Sequence, residues 1–497
     1  MASIPDEISK FRPCKCTRIV NDNGTYRVYK YTAVKLPSGK WSNGSQYLIG
    51  KIVPGVGFCP NKRYLKELEQ QNQIPFSDGI TDVAYGQYAL LMHVSKDVLE
   101  RLNACFPYDK AAQIYSYALI LCANGFLHID QIDDFYQESI LSLMYQKFSF
   151  RMGYTALSTL LHNLGSRTTP VQVFEQGLID SSSKNIAIDG HVIRSCSENN
   201  DLAEAGYKMR SLKAEQVNLL IAYDTKSNLP LMFRTFRGSS VDKKSVIDLL
   251  ESRRFTDTKF VVDRGFYSEK VLKMMTSNGN SYIIPVPVNH KSVKRIRDSL
   301  EFSSGEFIYK ASRKNTARIV YYEEQLDENR RLLVYKDMDE NNSKRKSFKM
   351  NMDLGESGYT QEKYEELCKW SGVYFLETTT KDPADAVFNA YKARWSIETF
   401  NNYIKNDADF NNLKTQDYYI ARGLDFIMLV TGLIHAKLND AVNSLRISSL
   451  STFDLLVKAG HMRMAKIEDV WKIQNTRTKD LELLAKLDFI PEHIFQC

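Results

Sequence analysis

Apolar and polar positions repeat along the chain in blocks of different period, and each change of period marks a change of element. Residues 24–60 read as short strands, GTYRVYKYTAVK and QYLIGKIV, with a turn at Ser38 and Gly39. From Ser95 to Ile179 the period is helical, through SKDVLERLNACF, DKAAQIYSYALILCANGF, IDDFYQESILSLMYQKF and TALSTLLHNLG. Thr169 and Pro170 open one more helix, VQVFEQGLI. After the polar SSSKN at 181–185 the pattern turns to strands, IAIDGHVI, QVNLLIAYD and LPLMFRTF. The helix VDKKSVIDLLESRR follows, then the apolar strand FVV ending in Asp263, the helix EKVLKMMTSNG capped by Ser268, and the strand YIIPV. Three strands, a helix, a strand, a helix and a strand predict an α/β unit.

Residues 286–371 interrupt that unit with basic, polar sequence and weak strand patterns, HKSVKRIRDSL, SRKNTARIVYYEE and NSKRKSFKMN. The strand GVYFLETTT then resumes the core, and Asp382 and Pro383 open the next helix as its cap and first position. Beyond Lys405 the period is helical to the end. The expected organisation is a β-rich region at 1–92 and a helical region at 93–180, both candidates for DNA binding. An α/β core at 181–285 and 372–440 is split by a β-rich insertion at 286–371. A helical C-terminal tail at 441–497 is a candidate for dimerisation.

A chain of 497 residues exceeds one compact core, and its 43% hydrophobic and 25% charged content is that of a globular protein without a run of roughly 20 apolar residues. MASIPDEISKFRPCK has no apolar signal core, so a cytoplasmic protein with no membrane partner is expected. The net charge of +7 permits nucleic-acid binding without requiring it. Eight scattered cysteines do not form a disulfide framework, and Cys14, Cys16 and Cys59 have no second close Cys or His pair to complete a zinc site.

The stretch YKARWSIETFNNYIK has polar residues at helical spacing. At about 100° per residue, Tyr391, Arg394, Glu398 and Lys405 share a sector of roughly 60°. Ala390, Ala393, Ile397, Phe400 and Ile404 gather opposite, as a stripe to be buried. Taken alone this is a solvated face with one ordinary ion pair. Two other acids change that reading. Asp189 follows IAI and Asp263 follows FVV, where a sheet normally carries apolar or small residues. A charge there is costly unless a cation or donors offset it. Either the two aspartates cap turns or pair with Arg194 and Arg264, or three carboxylates converge on divalent magnesium or manganese. Two ions about 3.5–4 Å apart would suit phosphodiester cleavage.

The Tyr391, Arg394, Glu398, Lys405 spacing resembles the YREK signature of DDE transposases of bacterial insertion sequences, the insertion-sequence-four type. VVDRGFY, with Asp263, Gly265 and Tyr267, resembles the surroundings of that family's second catalytic aspartate, and IAIDGH those of the first. The stretch from Gln216 through Pro230 to RGSSVDKKS resembles the linker between them. The resemblance implies a ribonuclease-H-like catalytic core with a β-rich insertion before the glutamate. It implies Asp189, Asp263 and Glu398 as catalytic ligands of two Mg2+ or Mn2+ ions, and Tyr391, Arg394 and Lys405 as contacts to DNA phosphates. Tyr374, with Trp370 as the second candidate, would be the aromatic against which an unpaired base stacks. It further implies double-stranded DNA as partner, both terminal inverted repeats and target, and a homodimer working by cut and paste. A ribonuclease-H-like nuclease without strand transfer, or a domesticated DNA-binding protein without catalysis, are the alternative readings.

Overall fold

The computed structural model describes residues 4–9, 11–13, 16–35, 41–54, 57–64, 82–125, 127–195, 202–205, 215–239, 242–297, 299–311, 315–404, 412–413, 417–467, 470–491 and 494–495. The chain divides into two compact units, Met1–Thr81 and Asp82–Cys497. In the first, the strands Thr17–Asp22, Thr25–Lys35, Trp41–Val53 and Gly57–Pro60 form one antiparallel sheet over Ile8, Val28, Ile49, Ile52 and Tyr64. The expected turn at Ser38 and Gly39, and Cys14, lie outside the described residues.

The second unit is built on an eleven-stranded sheet. Its centre runs, in spatial order, Leu229–Arg237, Glu215–Asp224, Asn185–Ser195, Lys259–Val262, Ser281–Pro285. The first three pair antiparallel as consecutive hairpins, while Lys259–Val262 and Ser281–Pro285 run parallel to Asn185–Ser195. Parallel neighbours need crossover connections. The helices Asp242–Ser252 and Glu269–Met274 supply them. Burial on both faces explains the near-continuous apolar runs, as in Glu215–Asp224, where every residue after Glu215 is buried.

The interrupting segment belongs to the same sheet. Val373–Thr378 pairs antiparallel with Ser281–Pro285, and Arg331–Asp337, Thr316–Gln325 and Gly305–Lys310 continue outward from it. The segment is less β-rich than expected, because the helices Met338–Asp353 and Gln361–Trp370 fill its second half. Only Asn341 is buried along the first of these, so it has no apolar stripe to show. Caps and ring contacts hold it instead: Asp337 accepts from the Glu340 amide, and Phe348 packs edge-on to Tyr359 with centroids 4.7 Å apart.

The tail corrects a second expectation. Residues 441–497 include the strands Arg463–Ile467 and Val470–Gln474, which form a separate sheet with Ile494–Phe495 and with Asp82–Ala84 from the start of the unit. Five-residue strands between helices leave too short a period to read; buried Met462 and Met464 around Arg463 are its trace. Asp382 pairs with Lys259 rather than capping a helix, and Pro383 takes the cap position of Ala384–Ala393.

Among the described residues one helix, Tyr418–Ser444, is long and apolar enough to cross a membrane, but 78% of its apolar window is buried within the protein. It is the spine of the helical layer. Gly165 and Gly423 let it meet the helix Tyr154–Ser166, since a Cβ at either would lie 1.9 and 2.0 Å from a carbonyl oxygen of the other helix.

Candidate active site

Two parallel strands running in step bring the aspartates together. Ile188 pairs with Val262. The next residues, Asp189 and Asp263, are therefore level on adjacent strands, whose spacing is about 4.8 Å. Asp189 remains inside its strand, opposite Ile221. Asp263 ends its strand in extended conformation and starts the 3-10 turn Arg264–Phe266; its side chain makes no capping bond and is exposed.

Glu398 comes from the helix Trp395–Asn402, which follows Ala384–Ala393 after a turn at Arg394. The turn is tightened by two three-residue bonds, Arg394 N–H to Tyr391 O and Ile397 N–H to Arg394 O, so the expected single helix is two segments in near continuity. Ile397, Phe400 and Ile404 are buried as the stripe predicts, whereas Ala393 is exposed. That burial turns Glu398 toward the sheet. Arg394 links the acids: its Nη2 donates to Glu398 Oε1 at 3.1 Å, and its Nη1 lies 4.0 Å from Asp189 Oδ1. The two carboxylates occupy opposite ends of one guanidinium, which is only 13% exposed. Asn401 completes the cluster. Its Nδ2 donates to Asp189 Oδ2 at 2.8 Å, while its buried Oδ1 has no hydrogen-bond partner among the described residues.

The fields agree with this grouping. Burial pushes the Asp189 carboxyl above the usual range, the Arg394 guanidinium pulls it down, and the Asp263 and Glu398 carboxylates push it up again. The Tyr391 hydroxyl is raised in turn, by burial first, with Arg394 opposing and Asp263 and Glu398 adding. Asp189 and Tyr391 feel the same two carboxylates, so these side chains share one site.

The donors suit a hard divalent cation, being oxygens throughout, and Asn401 Oδ1, without a partner among the described residues, adds another. Among the described residues no three acidic, histidine or cysteine side chains stand close enough to hold a metal ion as they are. Arg394 fills the gap between two of them.

Residues 180–426 match the family model of the transposase DDE domain. The match supports a transposase. It encloses Asp189, Asp263 and Glu398, and transposases of this domain family generally work on DNA with divalent metal ions. The fold is also similar to a cryo-EM structure of the piggyBac transposase synaptic complex with hairpin DNA, at TM-score 0.40 and 10% identity over 77% of this chain and 80% of that one, a likeness too loose to assign residues. No curated protein matches the chain.

Within the transposase-like segment, Tyr391, Arg394 and Glu398 fall together with the two aspartates, and Lys405 lies outside the described residues. Arg394 is occupied by carboxylates, not left open for a phosphate. Tyr374 is held as a core side chain: its hydroxyl donates to Glu340 and accepts from Lys392, whose ammonium sits 4.1 Å from the ring centre. It shares a cavity of about 500 Å³ with Trp370, Tyr391, Arg264 and Arg297. The Arg297 guanidinium lies 4.9 Å from the centre of the Trp370 ring. Asn401 escaped the sequence reading because an amide one turn after a glutamate carries no signature. Glu377 escaped it too, although an acid inside YFLET gives the same signal as Asp189 inside IAIDG.

Proposed function

We propose that the chain is a transposase of the insertion-sequence type with a ribonuclease-H-like core, which binds the terminal inverted repeats of its own element, cleaves there and joins the freed 3′ hydroxyl to target DNA. The observation that carries this is the single guanidinium of Arg394 spanning Asp189 and Glu398 beside Asp263. Mutually repelling carboxylates so arranged serve no purpose in a protein that only binds DNA. The strand order of the core, three antiparallel strands followed by two parallel to the first, supports the ribonuclease-H-like assignment.

In this reading Asp189, Asp263 and Glu398 would hold two magnesium or manganese ions, whose chemistry when bound would be to activate a water and stabilise the leaving oxygen. The chain's own residues do the rest. Asn401 fixes one oxygen of Asp189 and so orients the other toward Arg394 and the site. Arg394 exchanges partners, balancing the carboxylates in the free protein and turning its planar fork to a phosphate when DNA is bound. Tyr391 donates its hydroxyl, kept protonated by burial and by two carboxylates, to a neighbouring phosphate oxygen. Lys405 adds a further cation. The cavity lined by Trp370, Tyr374 and Tyr391 takes an unstacked base. Attack is in line, by water first and by the 3′ hydroxyl second. Two copies would act on paired ends in the bacterial nucleoid.

Asp189→Asn, Asp263→Asn and Glu398→Gln are each expected to abolish nicking of a terminal-repeat duplex in magnesium while leaving its gel-shift affinity intact. Full cleavage by any of the three would overturn the assignment. Joining of a pre-cleaved end to a plasmid separates a transposase from a nuclease, and no cleavage by the unaltered protein would leave a DNA binder.

A further inference from the structure

Glu377 is fully buried in the core sheet, with 0% exposure, inside the strand Val373–Thr378. It lies on the opposite face of that strand from Leu376, which packs against the helix preceding Arg394. A carboxylate enclosed in this way costs several kcal/mol unless donors compensate it. Three do. Tyr267 donates to Oε2 at 2.8 Å, Tyr282 to Oε1 at 2.6 Å, and Arg330 reaches Oε1 at 3.4 Å. Tyr282 belongs to the neighbouring strand, and Arg330 to the turn between two insertion strands, where Asp327 also holds it at 2.6 Å. Tyr267 is different: it ends the short loop that begins at Asp263.

That loop is pinned at both ends. It is anchored before Asp263 by the last paired residue, Val262, and at its end by Tyr267, fixed by Glu377 and packed edge-on to His290 with centroids 5.3 Å apart. Between them Phe266 is buried, while Asp263, Arg264 and Gly265 are exposed. A bond from a phenol to a carboxylate is charge-assisted and about twice as strong as a neutral one. Strand packing alone would be served by an apolar side chain, as at Phe375.

We propose that Glu377 is a positioning residue, which clamps the Asp263 loop through the Tyr267 hydroxyl and ties it, through Arg330, to the insertion. The inference rests on the reading of Asp263 as a metal-binding catalytic residue. Glu377 touches neither substrate nor metal; it acts through Tyr267 on where Asp263 sits.

Tyr267 and Tyr282 allow an internally controlled test, because each gives one hydroxyl to the same carboxylate but only Tyr267 lies on the loop. Tyr267→Phe is expected to raise the Mn2+ concentration for half-maximal cleavage by roughly 10- to 100-fold, as for other residues that orient a metal ligand, with the affinity for a terminal-repeat duplex unchanged. It should also speed trypsin cleavage after Arg264 in the DNA-free protein. Tyr282→Phe should lower thermal stability comparably and move neither quantity. Equal trypsin rates and equal Mn2+ dependence in the two variants, whether both are altered or both like wild type, would overturn the clamp. The trypsin measurement needs no catalysis, so it decides the clamp even if wild-type protein fails to cleave and the transposase reading falls. Glu377→Gln, which keeps the shape and removes the charge, should reproduce the effect of Tyr267→Phe; if it unfolds, the tyrosine pair still decides.

Discussion

At the scale of single residues the site is governed by one cation among three anions. Arg394 holds the Asp189 carboxyl down against burial and against its acidic neighbours. Replacing Arg394 by Gln removes that opposing influence, so the Asp189 carboxyl rises further. If cleavage needs Asp189 ionised, the acidic limb of the rate profile must move to higher pH in Arg394→Gln, while Arg394→Lys, which keeps the charge, moves it less. The check is the single-turnover cleavage rate against pH at saturating metal; an unshifted limb would separate Arg394 from Asp189. The stability consequence has the opposite sign to the usual acid. A carboxyl whose folded value is raised binds more protons when folded, so its contribution to stability falls as pH climbs through the window between its unfolded and folded values. Asp189 and Asp263, the aspartates proposed as catalytic, stood out in the sequence because charge in an apolar strand demands a reason. Glu377 sends that signal equally, yet its reason lies in three tyrosine and arginine donors from other segments, and no spacing along the chain announces them.

Among the elements, legibility followed length and amphipathicity. The five core strands could be read because they are apolar runs broken by good helix patterns. The order in which they pair was beyond local sequence, being set by crossovers. The strands of the tail and the polar helix Met338–Asp353 escaped because the first are too short to show a period and the second has no buried face. Close helix contact escaped as well, since a glycine inside a helix looks only like a weak position. At Gly423 the structure supplies the reason, a Cβ 2.0 Å from the Leu161 carbonyl oxygen with no flexible side chain to yield. Gly423→Ala, favourable by helix propensity, is therefore expected to destabilise the protein by about 1–3 kcal/mol, as overpacking does. Urea unfolding with an unchanged slope and a lower midpoint would bear this out. A gain in stability would mean that the two helices separate without cost.

Across the whole second unit, the question is what joins the helical region before residue 185 to the sheet that carries the site. Apolar packing against Tyr418–Ser444 contributes, and a buried ionic cluster adds direction. Glu175, 2% exposed on the helix Thr169–Ser181, pairs with Arg234 of the strand Leu229–Arg237 and with Arg253 just after the helix Asp242–Ser252. Arg234 and Arg253 are themselves under a tenth exposed, and burial already lowers the pKa of Arg253 against the pull of Glu175. One anion thus bridges two enclosed cations, tying three parts of the chain together. Replacing it with an amide keeps the shape and removes the ion-pair partner that the two guanidinium groups share, a loss of about 3–5 kcal/mol for a broken buried pair. If the helical region and the core fold as one body, Glu175→Gln lowers the midpoint of a single calorimetric transition. Splitting into two transitions, with the helical region melting first, would instead show that this glutamate fastens two bodies that are each stable alone. A change under 0.5 kcal/mol, the range of an ordinary surface substitution, would mean that water already reaches the cluster.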